Sequence, residues 1–265
     1  MALPSEVVAF KPCIVVPVYD HAGAIGQTVA GLRVHGLHCF LVDDGSHDAC
    51  AAELRRIAAA EAAWVTLLTL SPNQGKGAAV MAGIAAAEAA GFSHAVQLDA
   101  DGQHDAADIP ALLALAQRAP AALVTGIPLY DASVPRSRLY GRYVTHVWVW
   151  INTLSLRIRD SMLGFRVYPI ASTLGVWRNN RIGRRMDFDT EIMVRLFWEG
   201  VDVISQPTHV TYPLDGVSHF DVLADNVRIS RMHARLFGGM LWRLPRLLWQ
   251  RLKGPQRRAA IGVSP

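Results

Sequence analysis

Short apolar segments alternate with alanine-rich segments through the first half of the chain. The apolar segments predict strands at residues 13–19, 38–42, 65–70, 95–98 and 122–125. The segments between them predict helices at residues 24–34, 49–62, 78–90 and 109–117. Strands that are apolar on both faces are typical of a parallel sheet that is covered on both sides. The pattern therefore predicts an α/β fold with a mostly parallel, Rossmann-like sheet and helices on both faces.

The second half of the chain has a different pattern. Residues 136–158 form a long apolar segment, a helix is predicted near residues 187–198, and a strand is predicted at 201–212. The tail at residues 221–253 has the spacing of an amphipathic helix. Glycines at 238 and 239 and a proline at 245 leave open whether this tail is one helix or two.

Polar clusters follow the first four predicted strands, at the point where each strand ends. They are Tyr19-Asp20, Asp43-Asp44-Gly45-Ser46, Asn73-Gln74-Gly75-Lys76-Gly77 and Asp99-Ala100-Asp101-Gly102-Gln103. In open α/β sheets, ligands bind beyond the carboxyl ends of the strands. We therefore expect the four clusters to build one site at one edge of the sheet.

The acidic pair Asp99 and Asp101 predicts a metal site. Two carboxylates so close together are unfavourable unless a cation neutralises them. Oxygen ligands suit Mg²⁺ or Mn²⁺ better than zinc, and Gln103 can add a neutral oxygen. Such an ion could bridge the diphosphate of a nucleotide and stabilise it as a leaving group. A capping function before a helix is the alternative for the pair.

The second and third clusters predict contacts with a nucleotide. A carboxylate of Asp43 or Asp44 can accept hydrogen bonds from a base or a ribose, although a simple strand-to-helix turn capped by Ser46 is the alternative. Lys76 lies between two glycines at a helix start, where it can approach a phosphate, or can simply be exposed. The segment around Lys76 lacks the earlier glycine and the following Ser or Thr of a P-loop, which excludes a P-loop NTPase.

Together these clusters resemble the family 2 glycosyltransferases, and among them the polyprenyl-phosphate sugar synthases related to dolichol-phosphate mannose synthase. Residues 160–166 resemble the family's Asp-x-x-Ser-Gly-Phe-Arg segment, and residues 188–191 resemble its Phe-Asp-x-Glu segment. The resemblance covers about residues 11–212. The chain departs from the family at the first strand end, where the family usually has Glu after Asn or Asp and here Tyr19 is followed by Asp20 and His21, and at Leu163, where the family has serine.

This resemblance implies a GT-A-type glycosyltransferase domain, which we place at residues 1–217. The residue pattern beyond it predicts a basic amphipathic helical tail over 218–253 and a disordered end over 254–265. The resemblance also implies that a nucleotide-sugar donor is bound by Pro17, Tyr19, Asp20, Asp43, Asp44, Lys76 and Asp99. It implies a Mg²⁺ or Mn²⁺ ion at Asp99, Asp101 and Gln103. It implies catalytic roles for Asp101, Arg166, Asp189 and Glu191.

The acceptor is predicted from the charges of the second half. Inverting transfer to a hydroxyl needs a general base, whereas a lipid phosphate is already ionised and needs cations to hold it in line. Arginines are found at positions 136, 138, 142, 157, 159, 166, 184 and 185, which favours a lipid-linked phosphate of the polyprenyl type as the acceptor. A hydroxyl acceptor is the alternative, with Asp187, Asp189 or Glu191 as the base; helix capping is the alternative for the last two.

The net charge of +4 is unevenly distributed, because residues 228–258 contain nine basic residues and no acidic one. Basic residues among Trp and Leu, in a segment too short to span a bilayer, are typical of a helix lying on an anionic membrane surface. Packing on the chain's own domain or in a homodimer is the alternative. No nucleic-acid reader motif is present. With no recognisable signal peptide, we expect a cytoplasmic protein, peripheral on the inner face of the membrane; a non-catalytic nucleotide-sugar-binding membrane module is the alternative of another class.

Overall fold

The computed structural model describes residues 9–129, 136–211 and 221–259, with the backbone only for residues 136–140 and 250–259. Its strands are β1 (Pro12–Val18), β2 (Cys39–Asp43), β3 (Val65–Thr69), β4 (His94–Gln97), β5 (Leu123–Leu129), β6 (Arg166–Pro169) and β7 (Val203–His209). Its helices are α1 (Ala22–Leu32), α2 (Asp48–Ala60), α3 (Lys76–Ala89), α4 (Ile109–Arg118), α5 (Arg136–Thr153), α6 (Ile170–Asn179), α7 (Phe188–Trp198) and α8 (Val222–Ala259).

The strands form one sheet in the order β3-β2-β1-β4-β6-β5-β7. β6 runs antiparallel to β4 and β5, and the other pairs are parallel. The predicted class, a mostly parallel α/β sheet, is confirmed. The sequence pattern does not predict β6 or α6, because β6 has four residues, begins with an arginine and ends with a proline. Its burial along the whole strand also removes the polar alternation that marks a half-exposed strand.

Helices cover both faces of the sheet, as predicted. In β1, Cys13 and Val15 point into one apolar cluster, and Ile14 and Val16 point into the other. The first cluster contains residues of α3, α6, α7 and α8, and the second contains residues of α1, α2 and α4. Because successive side chains of a strand point to opposite faces, a strand buried on both sides must be apolar throughout.

The tail is a single helix, α8, which continues through Gly238, Gly239 and Pro245. Met232, Leu236 and Met240 of α8 are buried in the first cluster. A Cβ at Gly239 would lie 2.9 Å from the Trp198 ring, so the close approach of α8 to α7 requires a residue without a side chain there. None of the described helices combines the length and the apolarity needed to cross a bilayer.

The end of α8 differs from the predicted boundary. The helix ends at Ala259, whereas the sequence suggested a helical tail to residue 253 and disorder over 254–265. The remainder of that predicted disordered end, residues 260–265, lies outside the described residues. Residues 130–135 and 212–220 also lie outside them, and so does the last residue of the strand predicted at 201–212.

Candidate active site

The polar clusters after β1 and β2 lie side by side and are joined by hydrogen bonds. The Asp20 N–H donates to Ser46 Oγ over 3.1 Å, and the His47 N–H donates to Asp20 Oδ1 over 2.8 Å. Asp20 has a φ of 53°, in the left-handed region that Asp tolerates better than most residues. The structure therefore brings the first two predicted clusters together at one edge of the sheet, here called the rim. This is the arrangement expected for the ends of neighbouring parallel strands.

The Asp44 carboxylate holds the loop that follows β3. Its Oδ1 accepts the Gln74 N–H and its Oδ2 accepts the Gly75 N–H, both over 2.8 Å, and Asn73 Nδ2 donates to Oδ2 over 2.9 Å. Burial raises the pKa of the Asp44 carboxyl, and the amides of Gln74 and Gly75 oppose that shift. Both oxygens thus have internal donors, so a nucleobase that uses this carboxylate must share or displace them.

Asp43 and the strand end of β1 complete this side of the rim. Asp43 Oδ1 accepts the Ser46 N–H over 2.8 Å, which closes the turn after β2. Pro17 lies within β1, paired in register with Val42, and Tyr19 follows the strand with its ring 6.4 Å from that of His47. The predicted donor-binding residues from the first two strands are therefore neighbours.

The start of α3 is covered by a loop from the second half of the chain. The carbonyl oxygen of Arg184 accepts the Gly77 N–H over 2.8 Å and the Ala78 N–H over 3.2 Å. A Cβ at Gly75 would clash with the Arg184 carbonyl, and one at Gly77 would clash with the Phe188 ring. The two glycines therefore allow this loop to pack on the start of the helix. The backbone N–H groups at which a phosphate could bind already donate to a protein carbonyl oxygen.

Lys76 lies between two carboxylates at the centre of the rim. Its Nζ is 2.9 Å from both oxygens of Asp99 and 2.9 Å from Asp189 Oδ2. Burial disfavours the charged form of each group, but their mutual attraction outweighs it. As a result the pKa of Lys76 is raised above its usual range and the pKa of Asp99 is held well below its usual range. The structure thus unites two residues predicted for the site, Asp99 and Asp189, through a third.

Gly164 is packed directly against this ion pair. A Cβ at Gly164 would lie 2.7 Å from Lys76 Nζ and 2.7 Å from each oxygen of Asp99. Real Cβ atoms essentially never approach so closely, so any side chain here would push the pair apart. Gly164 belongs to the Gly-Phe-Arg segment noted in the sequence, and its backbone forms one wall of the site.

The Arg166 side chain is buried and holds backbone segments next to the site. It is 0% exposed. Its guanidinium donates to the carbonyl oxygens of Asp189 (2.6 Å), Ser161 (2.7 Å) and Leu163 (2.9 Å), and its Nη1 lies 3.8 Å from Asp189 Oδ1. A side chain without exposed surface cannot contact phosphate or acceptor in this conformation. In place of the predicted catalytic contact, the structure has Arg166 fixing the loop at 161–163 and the start of α7.

Glu191 is also fully enclosed. It is 0% exposed, and its oxygens accept from Arg195, Arg235 and the Gly183 N–H at distances between 2.7 and 3.0 Å. This arrangement leaves no oxygen surface for an acceptor hydroxyl, which does not favour the predicted catalytic role. Asp189, two residues earlier in the same helix, reaches the Lys76 cluster, with Gln97 Nε2 3.3 Å from its Oδ1.

The turn after β4 carries the predicted metal ligands. Asp101 Oδ1 accepts the Gln103 N–H over 3.1 Å, and the Gln103 carbonyl accepts the Thr211 N–H over 3.0 Å. His104, for which the sequence predicted no role, lies with its Nε2 3.4 Å from Asp99 Oδ2 and its ring stacked on Phe165. Within the described part of the chain, no three His, Cys, Asp or Glu side chains are grouped to hold a metal ion on their own.

A cavity of about 190 Å³ lies beyond the end of β5. It is lined by Ile127, Pro128, Arg142, Tyr143, His146, Arg159 and Asp160. Asp160 Oδ2 accepts from Arg142 Nη2 over 2.6 Å, and Asp160 Oδ1 accepts the N–H groups of Met162 and Leu163. Burial opposes ionisation, yet His146 and Arg142 hold the pKa of the Asp160 carboxyl well below its usual range. The loop that Asp160 fixes leads directly to Gly164, so one loop connects the lining of this cavity to the Lys76 cluster.

The other predicted phosphate-binding arginines are distributed over several environments. Arg157 pairs with Asp202 over 2.6 Å, and Arg185 Nη1 donates to Asn73 Oδ1 over 3.1 Å. Arg159 is exposed at the cavity, and Arg184 is exposed on the loop over α3. The side chains of residues 136 and 138 lie outside the described part of the chain.

The fold class is that of GT-A-type glycosyltransferases, as two similar solved structures indicate. Mannosyl-3-phosphoglycerate synthase from Rubrobacter xylanophilus matches with a TM-score of 0.61 at 15% identity, covering 89% of this chain and 75% of that one. Glucosyl-3-phosphoglycerate synthase from M. tuberculosis matches with a TM-score of 0.63 at 13% identity, covering 88% of this chain and 81% of that one. The chain itself belongs to glycosyl transferase family 2, whose family model matches residues 13–189.

Two relatives with assigned functions are similar in sequence. A polyprenol monophosphomannose synthase from Mycolicibacterium smegmatis is 29% identical over 173 residues, which are 60% of this chain and 61% of the relative. An undecaprenyl-phosphate 4-deoxy-4-formamido-L-arabinose transferase from Klebsiella pneumoniae is 34% identical over 117 residues, which are 40% of this chain and 33% of the relative. The chain thus spans less than two thirds of the length of these relatives.

Proposed function

We propose that this chain is a metal-dependent inverting glycosyltransferase that moves a sugar from a nucleotide-diphospho-sugar to a lipid-linked phosphate, with a polyprenyl phosphate as the acceptor. The proposal rests on the rim of the sheet, where Asp99, Asp101 and Lys76 lie beside the loops that follow β1 and β2. Family membership gives the reaction class. The two relatives described above, named for polyprenol or undecaprenyl phosphate, support the acceptor class.

The donor set after β4 fits a divalent metal ion. Asp101 and Gln103, with Asp99 beside them, offer hard oxygen ligands in one turn. A cage of three protein ligands is not needed, because Mg²⁺ is commonly held by one or two carboxylates together with the phosphates of the substrate. The bound ion would stabilise the leaving nucleotide diphosphate. A structure of the M. tuberculosis glucosyl-3-phosphoglycerate synthase contains Mn²⁺ and UDP, which supports a metal–nucleotide site in this fold.

An acceptor phosphate fits the cavity beyond β5. Arg142, His146 and Arg159 line it, and the loop from Asp160 to Gly164 connects it to Asp99. An anionic nucleophile needs no base, only cations that hold it in line with the sugar. A hydroxyl acceptor would need Asp189 as its base, since Glu191 is enclosed. Asp189 is itself buried and paired with Lys76, and this arrangement favours the phosphate.

A membrane surface fits the outer side of α5 and α8. Trp148 of α5 packs on His233 and Phe237 of α8, which joins the two helices. Their outer side exposes large apolar side chains, here called the α5–α8 apolar face: Tyr143, Val144, Trp148, Ile151, Phe237, Leu241, Leu244 and Leu248. Exposed Arg231 of the same helix suits anionic headgroups. The proposal therefore includes peripheral binding at the inner, cytoplasmic face of the membrane.

A matched pair of acceptors tests the proposal. The purified chain is incubated with UDP- and GDP-sugars, Mg²⁺ or Mn²⁺, and either undecaprenyl phosphate or undecaprenol in detergent. We expect labelled sugar in the organic phase with the phosphate and not with the alcohol, and none after chelation of the metal. Turnover of the alcohol would support the hydroxyl alternative. Donor binding without turnover on any acceptor would support the non-catalytic binding module.

A further inference from the structure

A continuous series of contacts runs from α8 to the donor side of the rim, and Glu191 is its central member. Arg235 of α8 donates to Glu191 Oε2 over 2.8 Å, and the Gly183 N–H donates to the same oxygen over 2.9 Å. Arg195 holds the other oxygen with its Nε and Nη2. The carboxylate therefore has its orientation fixed from two sides, and one of its oxygens connects α8 to the loop at 181–186.

That loop in turn is attached to the nucleotide side of the site. The Arg184 carbonyl accepts the Gly77 and Ala78 N–H groups at the start of α3, directly after Lys76. Arg185 Nη1 donates to Asn73 Oδ1, and Asn73 Nδ2 donates to the carboxylate of Asp44. The position of the loop thus determines the position of the α3 start and of the segment that Asp44 holds.

We infer that Glu191 is a positioning residue through which α8 holds the 181–186 loop on the donor-binding segment. The assignment of that segment to the donor rests on the proposed function. The inference explains why a carboxylate in a matching family segment is fully buried and bound by two arginines. It also means that α8, which bears part of the α5–α8 apolar face, is coupled to donor binding. Loss of the hydrogen bond from Arg235 to Glu191 should therefore weaken nucleotide binding.

The test compares Arg235→Gln with Arg246→Gln. Arg235 is 47% exposed, so its replacement leaves no internal void. Arg246 pairs with Glu199 over 3.2 Å and also joins α8 to α7, but it does not reach the loop. Hydrogen exchange followed by mass spectrometry reports on peptides covering residues 74–80 and 181–187, and steady-state kinetics reports on the donor.

We expect Arg235→Gln to speed exchange in both peptides by about tenfold, the effect of losing one charge-assisted hydrogen bond. We expect KM for the donor to rise by a similar factor with kcat nearly unchanged, since the chemical groups stay in place. Arg235→Lys should restore most of the protection, and Arg246→Gln should match the wild type. Glu191→Gln should have the larger effect; where it fails to fold, Arg235→Gln decides alone.

Unchanged exchange in the two peptides for Arg235→Gln would overturn the inference, and so would an equal change in Arg246→Gln. A rise in exchange with an unchanged donor KM would overturn the link to the nucleotide. If the wild type turns over no donor, the proposed function fails, while the exchange comparison still decides whether Glu191 couples α8 to the loop.

Discussion

Lys76 Nζ lies 2.9 Å from both oxygens of Asp99 and 2.9 Å from Asp189 Oδ2, so one cation neutralises two carboxylates that come from distant parts of the chain. Like charges in such proximity are unfavourable without a counter-ion. The pair is also enclosed by Gly164 on one side. Lys76 is therefore a structural requirement of the site before any donor arrives.

The first prediction is that Lys76→Met lowers the free energy of unfolding at pH 7 by about 3 kcal/mol, as expected for removing one partner of a buried ion pair. The depressed pKa of Asp99 stabilises the fold above the usual value of 3.8, and this stabilisation is lost as the pH falls through the folded pKa. The difference in the free energy of unfolding between wild type and variant should therefore become smaller below about pH 4. Urea unfolding at pH 7 and pH 3 measures this difference, and Lys11→Met is the control because Lys11 is exposed. An equal difference at both pH values would contradict the ion pair between Lys76 and Asp99.

The second prediction concerns Gly164→Ala. The added Cβ would lie 2.7 Å from Lys76 Nζ and from both oxygens of Asp99, so the ion pair must separate or the loop must shift. We expect a loss of about 1–3 kcal/mol in stability, typical of overpacking, together with a loss of most transferase activity. Gly175→Ala is the matched control, because nothing lies within 4 Å of its Cβ and it is in a helix. That control should gain up to about 1 kcal/mol in stability. Full activity in Gly164→Ala would show that the pair need not stay in place.

The third prediction separates the metal site from the ion pair. Asp101→Asn should reduce binding of Mn²⁺ in the presence of nucleoside diphosphate by at least about tenfold, since carboxylate is a far better ligand than amide for a hard cation. Asp105→Asn is the control, because Asp105 lies in the same turn but caps a 3₁₀ turn through the Ala107 N–H. Calorimetric titration measures metal binding without turnover. Equal binding by the two variants would remove Asp101 from the metal site.

The strands and the rim could be predicted from the sequence because they are local features. Six of the seven strands were predicted from local pattern, and the clusters that follow four of them share one edge by the geometry of parallel strands. The acidic pair Asp99 and Asp101 is adjacent in sequence, so its place after β4 needed no knowledge of the tertiary structure.

The contacts that complete the site are non-local, and local pattern carries little information about them. Lys76 and Asp189 meet only because α3 and α7 pack together, and Arg166 is buried although arginine is mostly an exposed residue. Its partners are backbone carbonyl oxygens, which every residue has and which no sequence pattern marks. One available signal was the glycine of Gly-Phe-Arg, since an isolated glycine next to a strand often marks a close approach.

The fourth prediction tests the cavity as the phosphate subsite. Arg159→Gln should raise KM for undecaprenyl phosphate by about tenfold while leaving KM for the donor unchanged, because Arg159 lines the cavity and lies away from the nucleotide loops. Arg157→Gln is the matched control: it is two residues away and pairs with Asp202 on the surface. Equal KM values for the acceptor in both variants would exclude Arg159 as a phosphate ligand.

The fifth prediction concerns the α5–α8 apolar face. Leu241 is 53% exposed, so Leu241→Ala should change the melting temperature little while lowering binding to vesicles of anionic lipid. Val34→Ala is the control, since Val34 is 79% exposed but lies after α1, on the other side of the sheet. Binding of the wild type should fall with added salt, because each basic residue near an anionic surface contributes about 1 kcal/mol that salt screens. Vesicle sedimentation with anionic and with neutral lipid separates the contribution of the apolar side chains to binding from that of the basic residues. If Leu241→Ala binds anionic vesicles as the wild type does, the face does not dock on the membrane, and a second copy of the chain becomes the occupant to test by sedimentation in solution.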